Sequence, residues 1–222
     1  MKGAFGCYTR PDFRVERSTY PFPTPSALRG ILDSVLFKPA YLCIIDEFIV
    51  MRPVETMEFM RIERKSGDLH EGEIIPDNFR ERTRRMTQVL VKPCYRVKFH
   101  FESNPAFISD PEKSNNPPQK PYDMFKRRIR NGNYYRNPYF GCKEFPVSIR
   151  QITEIEYESS PIPVEFNEIE DPGVMLYDFD YSGSYKVPMY YHPLMRKGRI
   201  KVPKIGERDE LGRECVVRCA TV

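Results

Sequence analysis

Apolar residues in this chain recur in short runs of recognisable period, separated by charged and proline-rich stretches. Leu28, Ile31, Leu32 and Val35 follow Thr24-Pro25 at helical spacing. Threonine is a good N-cap, and proline suits the first helical position, where its missing N–H costs nothing. A helix is predicted over 25–37, ended by Lys38-Pro39. Its approach is extended, because Pro21, Pro23 and Pro25 fix φ and push the residues before them out of the helical region. On pattern alone this is an ordinary first helix packed on a sheet. Arg29 falls near the edge of its apolar stripe, and Lys38 follows its end.

Strands are predicted at 4–9 and at 41–54, where apolar density points to partial cover on both faces. Another is predicted at 89–102, where Val91, Tyr95, Val97, Phe99 and Phe101 share one parity and His100 lies on the other. Lys92-Pro93 interrupts its start, as at an edge or bulge. Between these, 55–88 is polar and reads as an irregular excursion; 103–119 reads as a loop. A basic helix is expected over 121–130, stopped by Asn131-Gly132. The stretches 140–152, 173–181 and 187–191 read as strands, and Lys197-Gly198 as a turn into 199–202. The order strand, helix, strand, strand, helix, strand predicts an α+β fold: a ferredoxin-like (RRM-like) core, a protruding inserted segment and a β-rich C-terminal extension. The expected division is 1–150 for the core, with its insertion at about 55–88, and 151–222 for the extension.

Charge sharpens this division. The net charge is only +4, yet nine acids and no Lys or Arg lie between Gln151 and Tyr185, so that segment carries −9 and the rest +13. A polyanion is repelled by the first and drawn to the second. The acidic stretch is either a solvated loop, a face turned away from a polyanion, or a surface for a basic neighbour. No run of about eighteen apolar residues predicts a membrane span, and the N-terminus lacks a signal-type apolar region, so the expected location is cytoplasmic. The six cysteines form no CxxC pair and read as reduced thiols. His70, His100 and His192 show no metal-ligand spacing, and neither GxxxxGK nor GxGxxG occurs, so no metal or nucleotide cofactor is expected.

Binding of RNA needs backbone neutralisation and stacking surfaces. Lys126, Arg127, Arg128 and Arg130 supply charge on the basic helix, and Tyr122, Tyr134, Tyr135 and Tyr139 flank it. The plain alternative is an amphipathic helix with a solvated basic face. A second basic cluster, Arg80 to Arg85, reads either as a solvated protrusion or as a phosphate contact.

Several blocks carry a resemblance. They are Tyr8-Thr9-Arg10-Pro11 with Val15-Glu16-Arg17, then Thr24-Pro25-Ser26-Ala27 with Arg29-Gly30-Ile31-Leu32 and Phe37-Lys38-Pro39. Asp123–Arg128 with Gly132, and Pro138–Phe145, follow in order; Gly173–Asp180 and Met195–Gly198 are a weaker echo. Together they resemble the CRISPR-associated RAMP subunit of type I-C interference complexes, which holds the 5′ handle of the guide RNA. The resemblance implies guide RNA, a repeated backbone subunit and a large DNA-inspecting subunit as partners. The candidate RNA-binding residues are Arg17, Tyr20, Arg29, Lys38, Arg82, Arg84, Arg85, Tyr122, Lys126, Arg127, Arg130, Tyr134, Tyr135 and Lys143.

The same resemblance raises metal-independent cleavage of the repeat RNA, in which the RNA's own 2′-hydroxyl attacks. That step wants a proton acceptor, a cation for the phosphorane charge and an acid for the leaving oxygen. The family's tyrosine, lysine and histidine positions fall on Leu36, Lys120 and Pro121. Leucine and proline move no proton, so only the cationic role survives, in Lys120. Tyr41, Tyr122, Tyr134 and Tyr135 are the available replacements. Three readings therefore stand: a guide-RNA binder, a binder that also cuts, and a generic RRM-like single-strand binder.

Overall fold

A computed structural model describes residues 1–13, 16–64, 82–104, 107, 119–159, 162 and 171–219. Helix α1 (Pro25–Val35) opens as its sequence dictates. The Thr24 side chain accepts a hydrogen bond from the Ala27 N–H, and Pro25 begins the first turn. Leu28, Ile31, Leu32 and Val35 are buried, but Leu36 is already extended, so the helix stops before Phe37. Phe22, delivered by the proline-rich approach, lies 5.8 Å from the Phe48 ring.

Phe48 belongs to β2 (Tyr41–Val50), an interior strand of a sheet ordered β5-β2-β9-β8. Its register against β5 (Tyr95–Ser103) shifts between Ile45 and Glu47, leaving Asp46 as the extra residue of a bulge. The bulge switches parity: Cys43 and Ile45 before it, and Phe48 and Val50 after it, are all buried. On β5, Phe99 and Phe101 meet Phe125 of α2 (Lys120–Asn131) at 5.2 and 5.8 Å. Helix α2 ends as expected, with Gly132 left-handed at φ 66 and its N–H on the Arg128 and Ile129 carbonyls.

Three expectations change. Within the 55–88 excursion, β3 (Thr56–Arg64) and β4 (Arg82–Val91) form a regular antiparallel pair, joined by β1 (Phe5–Gly6) in the order β1-β4-β3, while 65–81 lie outside the described residues. Its alternation is hidden because Met57, Met60 and Ile62 are exposed beside charged neighbours. The 89–102 stretch is two strands, because Lys92 takes φ 47 and Pro93 lacks an N–H. The 140–152 stretch makes only isolated bridges, Tyr139 with Pro146 and Ser148 with Lys2, and then yields a short helix α3 (Glu154–Ser159). A capping box announces α3: Thr153 Oγ1 accepts from the Glu156 N–H at 3.1 Å, and Glu156 accepts from the Thr153 N–H at 3.0 Å.

Residues 1–3 lie beside Tyr95 on one side and Ser148 on the other, through Tyr95 N–H to the Met1 carbonyl at 2.9 Å and Lys2 N–H to the Ser148 carbonyl at 3.0 Å. The C-terminal strands divide. β6 (Met175–Asp180), β7 (Val187–Tyr191) and β10 (Val216–Arg218) form one sheet. β8 (Met195–Arg196) and β9 (Arg199–Lys201) turn at Lys197-Gly198, and β9 pairs with β2. The described part is thus a mixed α/β fold, mostly sheet with few helices. All six cysteines are free thiols.

Gly141 explains one sequence block physically. Its φ is 76, and a Cβ there would run into the Cys7 carbonyl oxygen, backbone that cannot swing aside. Cys7 N–H meanwhile donates to the Phe140 carbonyl at 3.1 Å. Gly141→Ala should destabilise the protein by about 3 kcal/mol, from left-handed strain plus overpacking. A thermal or denaturant melt checks this, and a wild-type midpoint would contradict the close approach.

Candidate nucleic-acid interface

The ends of α1 and α2 are tied together through backbone carbonyls. Arg128 Nη1 donates to the Val35 carbonyl at 2.8 Å, and the Arg136 N–H donates to the Ser34 carbonyl at 2.8 Å. The clamp brings Phe37 over Tyr135, with ring centroids 5.6 Å apart and planes 26° from parallel. Both rings are 51% exposed, and the Arg136 guanidinium lies 5.2 Å from the Tyr135 centroid. This is an open shelf of two rings and a cation. Beside it Arg127, Arg128, Asn131, Asn133, Tyr134 and Tyr135 line a groove of about 510 Å³. Lys38, Lys126, Arg127 and Arg130 are exposed and make no ion pair among the described residues, and Arg127 lines the groove. Charge, donors and flat rings together suit a single-stranded polyanion carrying bases.

Of the candidates, Arg127, Tyr134 and Tyr135 therefore line one groove, Lys126 and Arg130 stand one turn apart on the same helix, and Lys38 follows Phe37 in the chain. Three other candidates are drawn inward. Tyr20 is 3% exposed, and its hydroxyl accepts from the Leu176 N–H at 3.3 Å. Arg29 forms a forked pair with the buried Asp178, one arm at 2.9 Å, which fastens α1 to β6. Tyr122 uses its hydroxyl to accept the Phe101 N–H at 3.1 Å and sets its ring on Phe101. These three contacts share a cause: each group satisfies a polar atom or packs a ring within the fold.

The β-hairpin holds a separate patch. Arg85 stands opposite Arg61, and Arg84 opposite Ile62, so the two neighbours point to opposite faces. Arg61 pairs with Glu144, beside the exposed Lys143. Burial opposes the charge on Glu144, but its own N–H and the Arg61 guanidinium hold it below the ordinary carboxylate range. Arg17 runs along β4 through its Met86 and Gln88 backbone bonds. The Arg82 side chain lies outside the described residues.

Of the three family positions, Lys120 is exposed at the start of α2, Pro121 is buried beside it, and Leu36 is 3% exposed. Burial raises the Tyr41 phenol above its ordinary value, which suits it less to accepting a proton at neutral pH. Sequence reasoning missed Phe37, Asn131, Asn133 and Arg136. Phe37 carried a signal, the aromatic residue just before Lys38-Pro39.

The opposite face of the β5-β2 sheet is unlike this shelf. His100 Nδ1 sits 2.9 Å from Asp46, and its Nε2 3.1 Å from Glu102. Glu154 pairs with Lys98 at 3.2 Å, and Glu158 with Arg199 at 2.8 Å. A carboxylate-rich sheet face disfavours RNA there, where an RRM stacks its bases. Among the described residues no group of His, Cys, Asp and Glu could hold a metal ion, and no helix is long and apolar enough to cross a membrane.

A family model described as CRISPR-associated protein (Cas_Cas5) matches residues 1–203. The CRISPR pre-crRNA endoribonuclease Cas5d of Mannheimia succiniciproducens is 31% identical over 223 residues, covering 90% of this chain and 92% of that one. A crystal structure of a CRISPR-associated protein aligns with a TM-score of 0.71 at 24% identity, covering 93% of this chain and 90% of the other. A chain of a CRISPR RNA-guided surveillance complex aligns at 0.51 and 14%, covering 98% and 90%. These two likenesses concern the fold.

The His100 contacts predict a pH dependence. The Asp46 hydrogen bond, helped by Glu102 and opposed by partial burial, raises the His100 pKa above 6.5. Folding then favours the protonated ring. This stabilisation is complete below the unfolded value and is lost as pH rises through the folded one. The melting temperature should fall as pH rises from about 6.5, and His100→Gln should flatten that fall; equal pH profiles would refute the assignment.

Proposed function

The chain belongs to the Cas5d family of CRISPR-associated proteins, and from that premise we propose that it binds the 5′ handle of the guide RNA within a type I surveillance complex. The observation that carries this reading is the exposed Phe37–Tyr135–Arg136 shelf beside the cations of α2. Phosphates run along Lys38, Lys126, Arg127 and Arg130, while bases stack on the rings. Arg17, Arg84, Arg85 and Lys143 form the second contact region, around the hairpin. The backbone and large subunits of the complex are the protein partners; the likeness to a surveillance-complex chain supports this part of the reading.

We read the segment order Ser148, residues 1–3, β5, β2 as the sheet of a ferredoxin-like core, with α1 and α2 on one side. The core spans 1–150 with the hairpin inserted at 55–88, and 151–222 is its β-rich extension.

If these cations contact phosphate, log affinity for handle RNA falls with log salt by about 0.7 per phosphate on a single strand. Replacing Lys126, Arg127 and Arg130 with alanine should shallow that slope by about 2 and weaken binding at low salt. A slope unmoved by the triple variant sinks the placement on α2.

The name of the Mannheimia relative favours a second reading, in which this chain also cleaves precursor guide RNA. Lys120 is then the cation that meets the phosphorane charge, and a tyrosine replaces the proton-transfer group absent at Leu36. Purified protein with labelled repeat RNA in EDTA should give one cut, and Lys120→Ala should slow it about 100-fold, as when a transition-state charge partner is lost. Intact RNA with handle binding retained leaves the binder alone.

A further inference from the structure

A cavity of about 570 Å³ lies on the side of α2 away from the groove. Tyr122, Phe125, Lys126 and Ile129 line it at i, i+3, i+4 and i+7, whereas Arg127, Arg128 and Asn131 line the groove. Val97 and Phe99 of β5 form its floor, and Ile149 and Ile152 its far wall. This size is ordinary for a pocket that buries a small, flat, mostly apolar group.

Its rim is cationic. Lys2, Arg96, Lys126 and Arg150 surround the opening. Arg96 is anchored, donating to the Glu156 and Tyr157 carbonyls, and Arg150 lies 3.2 Å from Glu156. Lys2 and Lys126 are exposed and make no ion pair among the described residues. Apolar and aromatic walls under a basic mouth match one kind of occupant on a bound RNA: a base turned out of its stack, its flanking phosphates left at the rim. Lys126 lines the cavity and stands one turn from the exposed Arg130, so a strand following these cations passes the opening.

We propose that the cavity between α2, β5 and residues 148–152 receives one extruded nucleobase of the bound single-stranded RNA, with Lys126 and Lys2 holding the phosphates on either side. This rests on the RNA-binding reading above and adds a base-accepting pocket to it. An enclosed base adds selectivity that phosphate contacts and open stacking lack, since its edges meet fixed walls.

Handle RNA carrying 2-aminopurine at one position at a time tests this with the wild-type chain, because the analogue brightens when it leaves its stacked neighbours. Brightening at a single position is expected. Ile129→Trp and Ile152→Trp, each filling the cavity from a different wall, should abolish the signal and weaken binding about tenfold or more, the loss of one stacked base. The salt slope should stay as in wild type, because no phosphate contact is removed. Wild-type affinity in both natively folded variants, or equal fluorescence at every position in a wild-type complex that forms, overturns the pocket and spares the RNA-binding reading. No handle binding by wild type at all overturns both.

Discussion

Ion pairing within the chain decides which of its cations a polyanion can reach. Glu154, Glu156, Glu158, Asp178 and Asp180 pair with Lys98, Arg150, Arg199, Arg29 and Arg218, and Asp171 meets His192. Each exposed pair is worth little in stability. Asp178, 8% exposed, is the stronger case, because its charge must be matched where water is scarce. Of these contacts, Arg29–Asp178 fastens the C-terminal strands to α1, and Glu154 and Glu158 tie α3 to β5 and β9. The described acids of the 151–185 stretch are internal counter-charges.

On the other side, backbone constraints do the arranging. Arg128 spends its guanidinium on the Val35 carbonyl. The adjoining Arg127 and Arg130 stay exposed, and the end of α1 comes close enough for Phe37 to lie on Tyr135. Gly141 lets the 138–145 turn pass against Cys7 where no side chain fits. The shelf of rings thus depends on bonds made within the chain. Its rings remain 51% exposed only because the clamp holds the two helix ends together without covering them.

Helix α2 is two surfaces at once. One row of side chains meets Phe99 and Phe101 and edges the cavity; the other lines the basic groove. Lys126 belongs to the row that edges the cavity. A helix this short serves both because a repeat of 3.6 residues separates packing from presentation within three turns.

The local sequence determined what local forces control. Thr24-Pro25 and Asn131-Gly132 marked two helix ends, Lys92-Pro93 marked a break in a strand, and Thr153 with Glu156 carried a capping box that could have announced α3. The basic character of α2 and the family were also legible, because motifs are linear. The hairpin was not, since exposed methionines and charges blur its alternation. Tertiary contacts alone decided which candidate residues face solvent. Tyr20, Arg29 and Tyr122 look available until Leu176, Asp178 and Phe101, all at least twenty-one residues away, claim them. Whether a side chain is spent or free depends on partners brought together by folding, and no spacing along the chain records that.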